Sequence, residues 1–371
     1  MRSLDRFQGC LIGGAAGDAL GYAIEFQREN EIFRRYGETG ITQYELHRGV
    51  ALISDDTQMT LFTANGLLCA SARGCSGNLE ETASLIGQCS RDWARTQAVR
   101  WPPMVRPRYA WLGNVPELYS PRAPGNTCLS ALGRRVLGTL EQPTNSSKGC
   151  GAVMRVAPIG LYYSDSGLDV RDICRLGAMA AVQTHGHMLG WLPAAVLVQI
   201  IHGLSQDDLP LETAVTDAIY TAADMWPEGN ELDSFIRLME KAVRLSHEDM
   251  PDLDAIHALG EGWVGDEALA IAVYCALKYS GDLDGCLIAA VNHKGDSDST
   301  GAIAGNIIGA QIGLSGIPAK YTEHLELKDL ILEIGEDLWR DGPADPADPV
   351  WEAKYVRAAY PEGTGTEPVH P

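Results

Sequence analysis

Positive charge is scarce in this sequence. Across 371 residues there are 29 Lys and Arg against 49 Asp and Glu, a formal net charge of −20 and a pI near 4.8. Such a surface argues against non-specific binding to nucleic acid or to anionic membranes, while leaving room for a local basic pocket. The nine cysteines are odd in number and scattered, with no CxxC pair. That pattern excludes a disulfide framework and reads as reduced thiols, hence a cytoplasmic protein. A clean signal-peptide layout is missing too, since Asp5 and Arg6 precede the first apolar run and Asp18 interrupts it. Nor is there the alternation of strands and helices that a parallel α/β sheet requires.

What is present begins with glycine at unusual spacing. Gly301, Gly305, Gly309 and Gly313 recur at every fourth place in an uncharged run, and Gly9, Gly13, Gly17 and Gly21 do the same near the N-terminus. Residues four apart share one helix face. Glycine costs about 1 kcal/mol against Ala inside a helix, so two such stripes need a packing reason. The expectation is that the two glycine faces meet. The run after Thr300 is near membrane-spanning length, but it has few large lipid-facing residues and follows two aspartates. A buried helix is the expectation, with no membrane partner.

Along the chain, 4–26 reads as a helix and 41–53 as a small hairpin. A helical pattern starts at Ser54, and Asn78 caps the next helix. A long proline-rich loop, 101–125, precedes a helix expected from Asn126 or Thr127 to about Leu140. Asp169 caps a helix to about Thr184, and an apolar helix runs on to His202. Further helices are expected near 210–225, 231–248, 264–280, 282–293 and 326–340. No composition break divides the first 340 residues. The expected architecture is all-α: one large orthogonal helical bundle of roughly a dozen or more helices, occupying 1–341. A partly disordered tail, 342–371, would follow, with a possible helical turn around 351–359.

Two polar clusters carry the chemistry. Ser54-Asp55-Asp56-Thr57 and Asp296-Ser297-Asp298-Ser299-Thr300 each stand before a helix. Each alone is ordinary helix-cap chemistry. An EF-hand does not explain the second, because its twelfth place is Ile307 where a bidentate acid is needed. A phosphatase-type motif would follow a buried strand, and polar VNHKG stands there instead. If the clusters converge, they present four carboxylates and the hydroxyls of Ser54 and Ser299. These hard oxygen donors suit Mg²⁺, Mn²⁺ or Ca²⁺ rather than Zn²⁺. Without metal, the carboxylates would shift one another's pKa. A two-metal site binds sugar hydroxyls and activates water.

Taken in order, GGAAGDALGYAIEF, SDDTQMT, SKGCGAVMRVAPIG, THGH and GDSDSTG resemble the ADP-ribosylglycohydrolases, a family that includes dinitrogenase-reductase-activating glycohydrolases. The resemblance spans roughly residues 4–315. It implies an all-α fold with two divalent cations, usually Mg²⁺ and in some members Mn²⁺, held by Ser54, Asp55, Asp56, Asp296, Asp298 and Ser299. It also implies a catalytic carboxylate at Glu25, seven residues after Asp18, with Asp298 and Asp56 as further candidates. Read beside it, Ser147, Lys148, Gly149, Cys150 and Gly151 are candidates to cradle a diphosphate. His185 and Asn126 are candidate substrate contacts, although capping or core roles are the commoner use of such residues. Trp93 and Trp111 are candidates for stacking or for the core. Cys150 carries no sign of being a nucleophile. The activity implied is hydrolysis that frees ADP-ribose from a modified protein side chain, arginine favoured. O-acetyl-ADP-ribose, ADP-ribosylated nucleic acid, or a non-catalytic binding role are the alternatives.

Overall fold

The computed structural model describes residues 3–105, 107–162, 168–342 and 348–359. Helices dominate them: α1 (Leu4–Tyr22), α2 (Glu29–Tyr36), α3 (Asp55–Ala72), α4 (Leu79–Ala98), α5 (Asn126–Leu132), α6 (Ala157–Tyr162), α7 (Val170–Val182), α8 (Met188–Ser205), α9 (Leu211–Met225), α10 (Asn230–Ser246), α11 (Asp252–Leu259), α12 (Gly265–Lys278), α13 (Leu283–Val291), α14 (Ser297–Ile312) and α15 (Lys328–Arg340). Short 3-10 segments include Cys150–Arg155. Among the described residues the only sheet is an antiparallel pair, β1 (Leu46–His47) and β2 (Val50–Ala51). The fold is all-α.

Helix starts follow their caps. The Ser54 hydroxyl accepts the Asp56 N–H at 3.2 Å, Asn78 accepts from Glu81 at 3.1 Å, and Asp296 accepts from Ser299 at 3.3 Å. Acids in these first turns also suit the positive end of the helix dipole.

The centre of the molecule is α1 lying antiparallel against α14, glycine face to glycine face. A Cβ placed on Gly13 would stand 2.3 Å from the Gly305 carbonyl oxygen, and one on Gly17 1.9 Å from that of Gly301. On Gly9 it would stand 2.5 Å from the Gly309 carbonyl oxygen. Only hydrogen fits there, which is why both stripes exist. Asn306 locks the register by donating its side-chain N–H to the Cys10 carbonyl at 2.8 Å. The run after Thr300 is buried inside this core. One described helix, α8, is long and apolar enough to cross a membrane, and 83% of it is buried within the fold.

Some boundaries differ from expectation. Helix α1 stops at Tyr22, and 23–27 turn instead, with the Ile24 N–H on the Gly21 carbonyl and the Gln27 N–H on the Ile24 carbonyl. That turn redirects Glu25. Helix α5 ends at Leu132 rather than near Leu140, because Gly133 closes it and Gly138 must pass close to the Val182 carbonyl. Helix α11 lies in a stretch with no expected element; at eight residues it is too short for a periodic pattern to stand out. After Asp341 the expected tail falls partly on 343–347 and 360–371, outside the described residues. Between them, Pro349–Val356 is helical and docked. Lys354 is buried with Nζ 2.5 Å from Glu333 and 2.9 Å from Asp337, and Asn114 donates to the Ala358 carbonyl at 3.1 Å. This segment thereby fastens the loop that precedes Asn126.

Candidate active site

The N-terminal ends of α3 and α14 converge. Glu25, Asp296 and Asp298 each offer an oxygen within 4.8 Å of the others. The Ser299 hydroxyl stands beside Asp56, bringing the second cluster against the first. Ser54, Asp55, Asp56, Asp296, Asp298, Ser299 and Glu25 are all buried.

Asp18 organises the α3 end. It is fully buried on α1 and accepts the Ser54 N–H at 2.9 Å and the Thr57 N–H at 3.1 Å, with the Thr57 hydroxyl also on it. Its role is to hold the helix start in place, and the α1–α14 glycine contact sets its position. Asp55 is held from the other side, because its Oδ2 accepts the Gly125 N–H at 3.2 Å and its own N–H donates to the Arg122 carbonyl at 3.0 Å. The proline-rich loop therefore closes one wall of the site.

Burial and mutual repulsion shift the carboxyl groups of the site. Burial first, then the charges of Asp296 and Asp55, push Glu25 up to about 8. Burial, with Asp18 and Asp296 adding to it, takes Asp55 to about 8 even though the Gly125 N–H opposes the rise. Asp56 and Asp298 rise well above the carboxylate range, again from burial and then neighbouring acids. Asp18 rises to about 6 by burial, restrained by its Ser54 and Thr57 hydrogen bonds. Among the described residues no Lys, Arg or His forms an ion pair with Glu25, Asp55, Asp56, Asp296 or Asp298. Glu25 Oε2 and Asp56 Oδ1 are buried without any hydrogen-bond partner. Buried charges persist when paired or bound to metal, and this set consists of hard oxygens. The residues fit divalent cations.

The glycine loop forms another wall. The Cys150 thiol donates to Asp296 Oδ2 at 2.8 Å, and burial followed by the Asp296 charge raises its pKa well above the thiol range. A thiol so held is a poor nucleophile. The Ser147, Gly149 and Cys150 N–H groups are taken by Asn145 Oδ1, the Ser147 hydroxyl and the Trp263 carbonyl. Lys148 is exposed above them.

His185 is buried behind the loop. Its Nδ1 is 2.9 Å from the Thr184 hydroxyl, its ring packs against Gly149 and Gly151, and burial with nearby Arg155 lowers its pKa to about 3. His187 caps α8 by accepting the Leu189 N–H at 3.1 Å. Asn126 is exposed on the first turn of α5, and its neighbour Gly125 touches Asp55. Trp93 and Trp111 are core residues, 0% and 2% exposed.

Sequence reasoning did not find Arg155, Gly125 or the Cys150–Asp296 contact. Arg155 is 1% exposed and ties Gly151 O (2.9 Å), Ala180 O (3.2 Å) and Thr184 Oγ1 (2.8 Å) together. A lone arginine inside the apolar run GAVMRVAPIG was its available signal.

Comparison with known proteins agrees with the fold. The chain is 26% identical over 331 residues to the ADP-ribosyl-[dinitrogen reductase] glycohydrolase of Rhodospirillum rubrum, covering 87% of this chain and 91% of that one. It is 23% identical over 360 residues to the bovine (Bos taurus) ADP-ribosylhydrolase ARH3, covering 88% and 90%. A solved structure described as an ADP-ribosylglycohydrolase-related protein complex superposes with a TM-score of 0.56 at 21% identity, over 91% of this chain and 98% of the other, a likeness in fold. Residues 1–347 match the ADP-ribosylglycohydrolase family; the chain belongs to that family and is a hydrolase that removes ADP-ribose from its targets.

Proposed function

We propose that this hydrolase frees ADP-ribose from modified protein side chains, arginine first, and that it works with two divalent cations, Mg²⁺ or Mn²⁺. The observation that carries this reading is the convergence of Asp55, Asp56, Asp296, Asp298 and Glu25, with no ion-paired cation among the described residues and two orphaned oxygens. Ser54, Asp55, Asp56, Asp296, Asp298 and Ser299 would hold the cations. When bound, they supply Lewis acidity for the ribose hydroxyls and for water, and their charge returns the crowded carboxylates to the ionised form.

The protein's own groups then divide the work. Glu25 Oε2, which has no donor of its own, takes a proton from the attacking water as its oxygen bonds to the anomeric carbon. The bond from that carbon to the guanidine nitrogen breaks, and the proton passes to that nitrogen. Asp298 and Asp56 stabilise the positive charge that develops on the ribose. Asp18, through Ser54 and Thr57, keeps the α3 carboxylates in register. Because three loop N–H groups are already engaged, a diphosphate would rely on Lys148 and on the first turn of 150–155. His185 and Arg155 hold that loop from behind. Asn126 lies at the rim, where it meets the target more readily than the ribose. The nine free thiols suit a reducing, cytoplasmic setting.

The test is release of ADP-ribose from arginine-, serine- and nucleobase-linked substrates with Mg²⁺, Mn²⁺ or chelator. Arginine-linked substrate should turn over fastest and only with metal. Full activity in chelator, or in Asp55→Ala/Asp296→Ala, refutes the mechanism.

A further inference from the structure

A cleft lies between α4, α7 and the segment that follows α5, and no residue of the acidic site or the glycine loop lines it. The segment, 133–142, is held at three points. Arg91 on α4 donates to the Leu132, Arg134 and Arg135 carbonyls at 3.3, 2.7 and 3.1 Å. Gly138 passes α7 where a Cβ would stand 2.5 Å from the Val182 carbonyl oxygen. Thr139 and Gln142 exchange backbone hydrogen bonds at 3.1 and 3.2 Å, which closes the turn. The space enclosed is about 630 Å³, within the range of about 300–1,000 Å³ usual for small-molecule sites. Its apolar lining comes from Leu137, Leu140, Met179, Val182 and Trp226. Trp226 is fixed edge-on against Trp191, with ring centroids 4.9 Å apart.

The charges around this lining are unequally used. Arg91 serves the carbonyls. Arg135 on the segment and Arg175 on α7 are exposed, and neither guanidinium forms a hydrogen bond or ion pair with the described residues. Glu80 and Glu141 are exposed on the same lining, so three arginines stand against two glutamates. The surrounding chain shares that bias. Residues 91–175 hold 12 Lys and Arg against 6 Asp and Glu, in a chain of net charge −20. Two unpaired guanidinium groups on separate walls offer flat, bidentate donors to a carboxylate, sulfonate or phosphate. A cationic ligand would meet like charge there, and an uncharged one would leave both groups unused.

We propose that this cleft is a second ligand site, distinct from the hydrolase centre, for an amphipathic organic anion: an apolar or aromatic body carrying one acidic group. The body lies on the apolar lining and the acidic group between Arg135 and Arg175. The wall ends at Gln183, which donates to the Ala83 carbonyl at 2.7 Å. The next two residues turn to the other side, Thr184 to Arg155 and His185 to Gly149 and Gly151. One layer of side chains therefore separates the cleft from the glycine loop.

The experiment uses anilinonaphthalene sulfonate, an aromatic body with one sulfonate, and reads its fluorescence and stoichiometry on the full chain. Wild type should bind one molecule, with a Kd unchanged by saturating ADP-ribose and Mg²⁺. Arg135→Gln/Arg175→Gln should raise that Kd about 5- to 20-fold, as expected on losing hydrogen bonds to a charged group in a partly exposed site. Both arginines are exposed and unpaired, so their replacement leaves the fold in place. Arg244→Gln/Arg340→Gln removes the same charge from surface pairs elsewhere and should stay within about twofold. Phenylnaphthylamine, the same rings without the sulfonate, should bind wild type about 5-fold or more weakly and ignore the Arg135/Arg175 change. No binding, competition by ADP-ribose, or equal losses in the two double variants each overturn the proposal. So does neutral-probe binding as tight as that of the sulfonate. Displacement of the probe by a short single-stranded oligonucleotide, whose own affinity falls in Arg135→Gln/Arg175→Gln, would make the face a polyanion surface and overturn it too.

Discussion

Replacing Gly305 with Ala tests the central packing and the site together. A Cβ there would lie 2.0 Å from the Gly13 carbonyl oxygen, 2.6 Å from its carbon and 3.1 Å from the Gly14 nitrogen. All three are backbone atoms in the middle of a helix, so no side chain can swing away. Reaching an acceptable separation of about 3.5 Å requires α1 and α14 to part by more than about 1 Å, along a line of contact where every neighbour is packed to the same tolerance. Overpacking costs about 1–3 kcal/mol and occasionally more, and a clash of this depth belongs at or above the upper end. Ala gains about 1 kcal/mol over Gly in helix propensity, so the net loss is about 2 kcal/mol or more. At about 2.1 cal/mol/K per residue, that lowers the thermal midpoint by roughly 3 °C or more. The same displacement draws Asp18 on α1 away from Ser54 and Thr57, so divalent-metal affinity should fall as well. Urea unfolding and Mg²⁺ titration measure both effects. Gly77→Ala, where nothing lies within 4 Å, is the control and should unfold as wild type does. A Gly305→Ala protein with wild-type stability would refute the close-contact account of the two stripes.

Three other outcomes follow from the same geometry. Glu25 and Asp55 stand near 8 when metal-free, above their unfolded values, so the stability they contribute is full below about pH 4 and is lost as pH rises through 8. His185, lowered to about 3, contributes stability above about pH 6.5 that is lost as pH falls toward 3. The thermal midpoint gained on adding Mg²⁺ should therefore be larger at pH 8.5 than at pH 5, and scanning calorimetry showing an equal gain at both refutes this. Iodoacetamide should leave activity intact, because the Cys150 thiol is held protonated against Asp296; rapid inactivation that Cys150→Ser prevents would contradict it. Arg155→Met should destabilise by roughly 1–3 kcal/mol, the usual cost of leaving buried acceptors unsatisfied, since Gly151, Ala180 and Thr184 lose their donor. Arg155→Lys should restore little, having no fork to span the three acceptors, and chemical denaturation decides.

Elements set by local signals were legible from the chain. Ser54, Asn78, Asp169 and Asp282 all cap the helices that follow them, because a cap bonds to a backbone N–H two or three residues away. The glycine stripes announced a close helix pair for a similar reason: a four-residue period at a cost in propensity has few explanations other than contact. Where local chemistry was silent, the expectation drifted. Nothing in 133–140 says that α5 must stop at Leu132; the Val182 carbonyl, brought in by α7, says it. Nothing near Arg155 says that its guanidinium will tie Gly151 of its own segment to Ala180 and Thr184 at the end of α7.

By itself, then, the sequence determined the all-α class, the pairing of α1 with α14 and the chemical type of the site, since each rests on residue identity at short spacing. Tertiary structure alone decided that Asp18 serves the start of α3 and that Gly125 and Cys150 touch Asp55 and Asp296. It also decided that the turn after Tyr22 carries Glu25 inward and Phe26 outward. The physical reason is that these contacts join residues 36 to 146 positions apart, or depend on a helix ending where its neighbours require it.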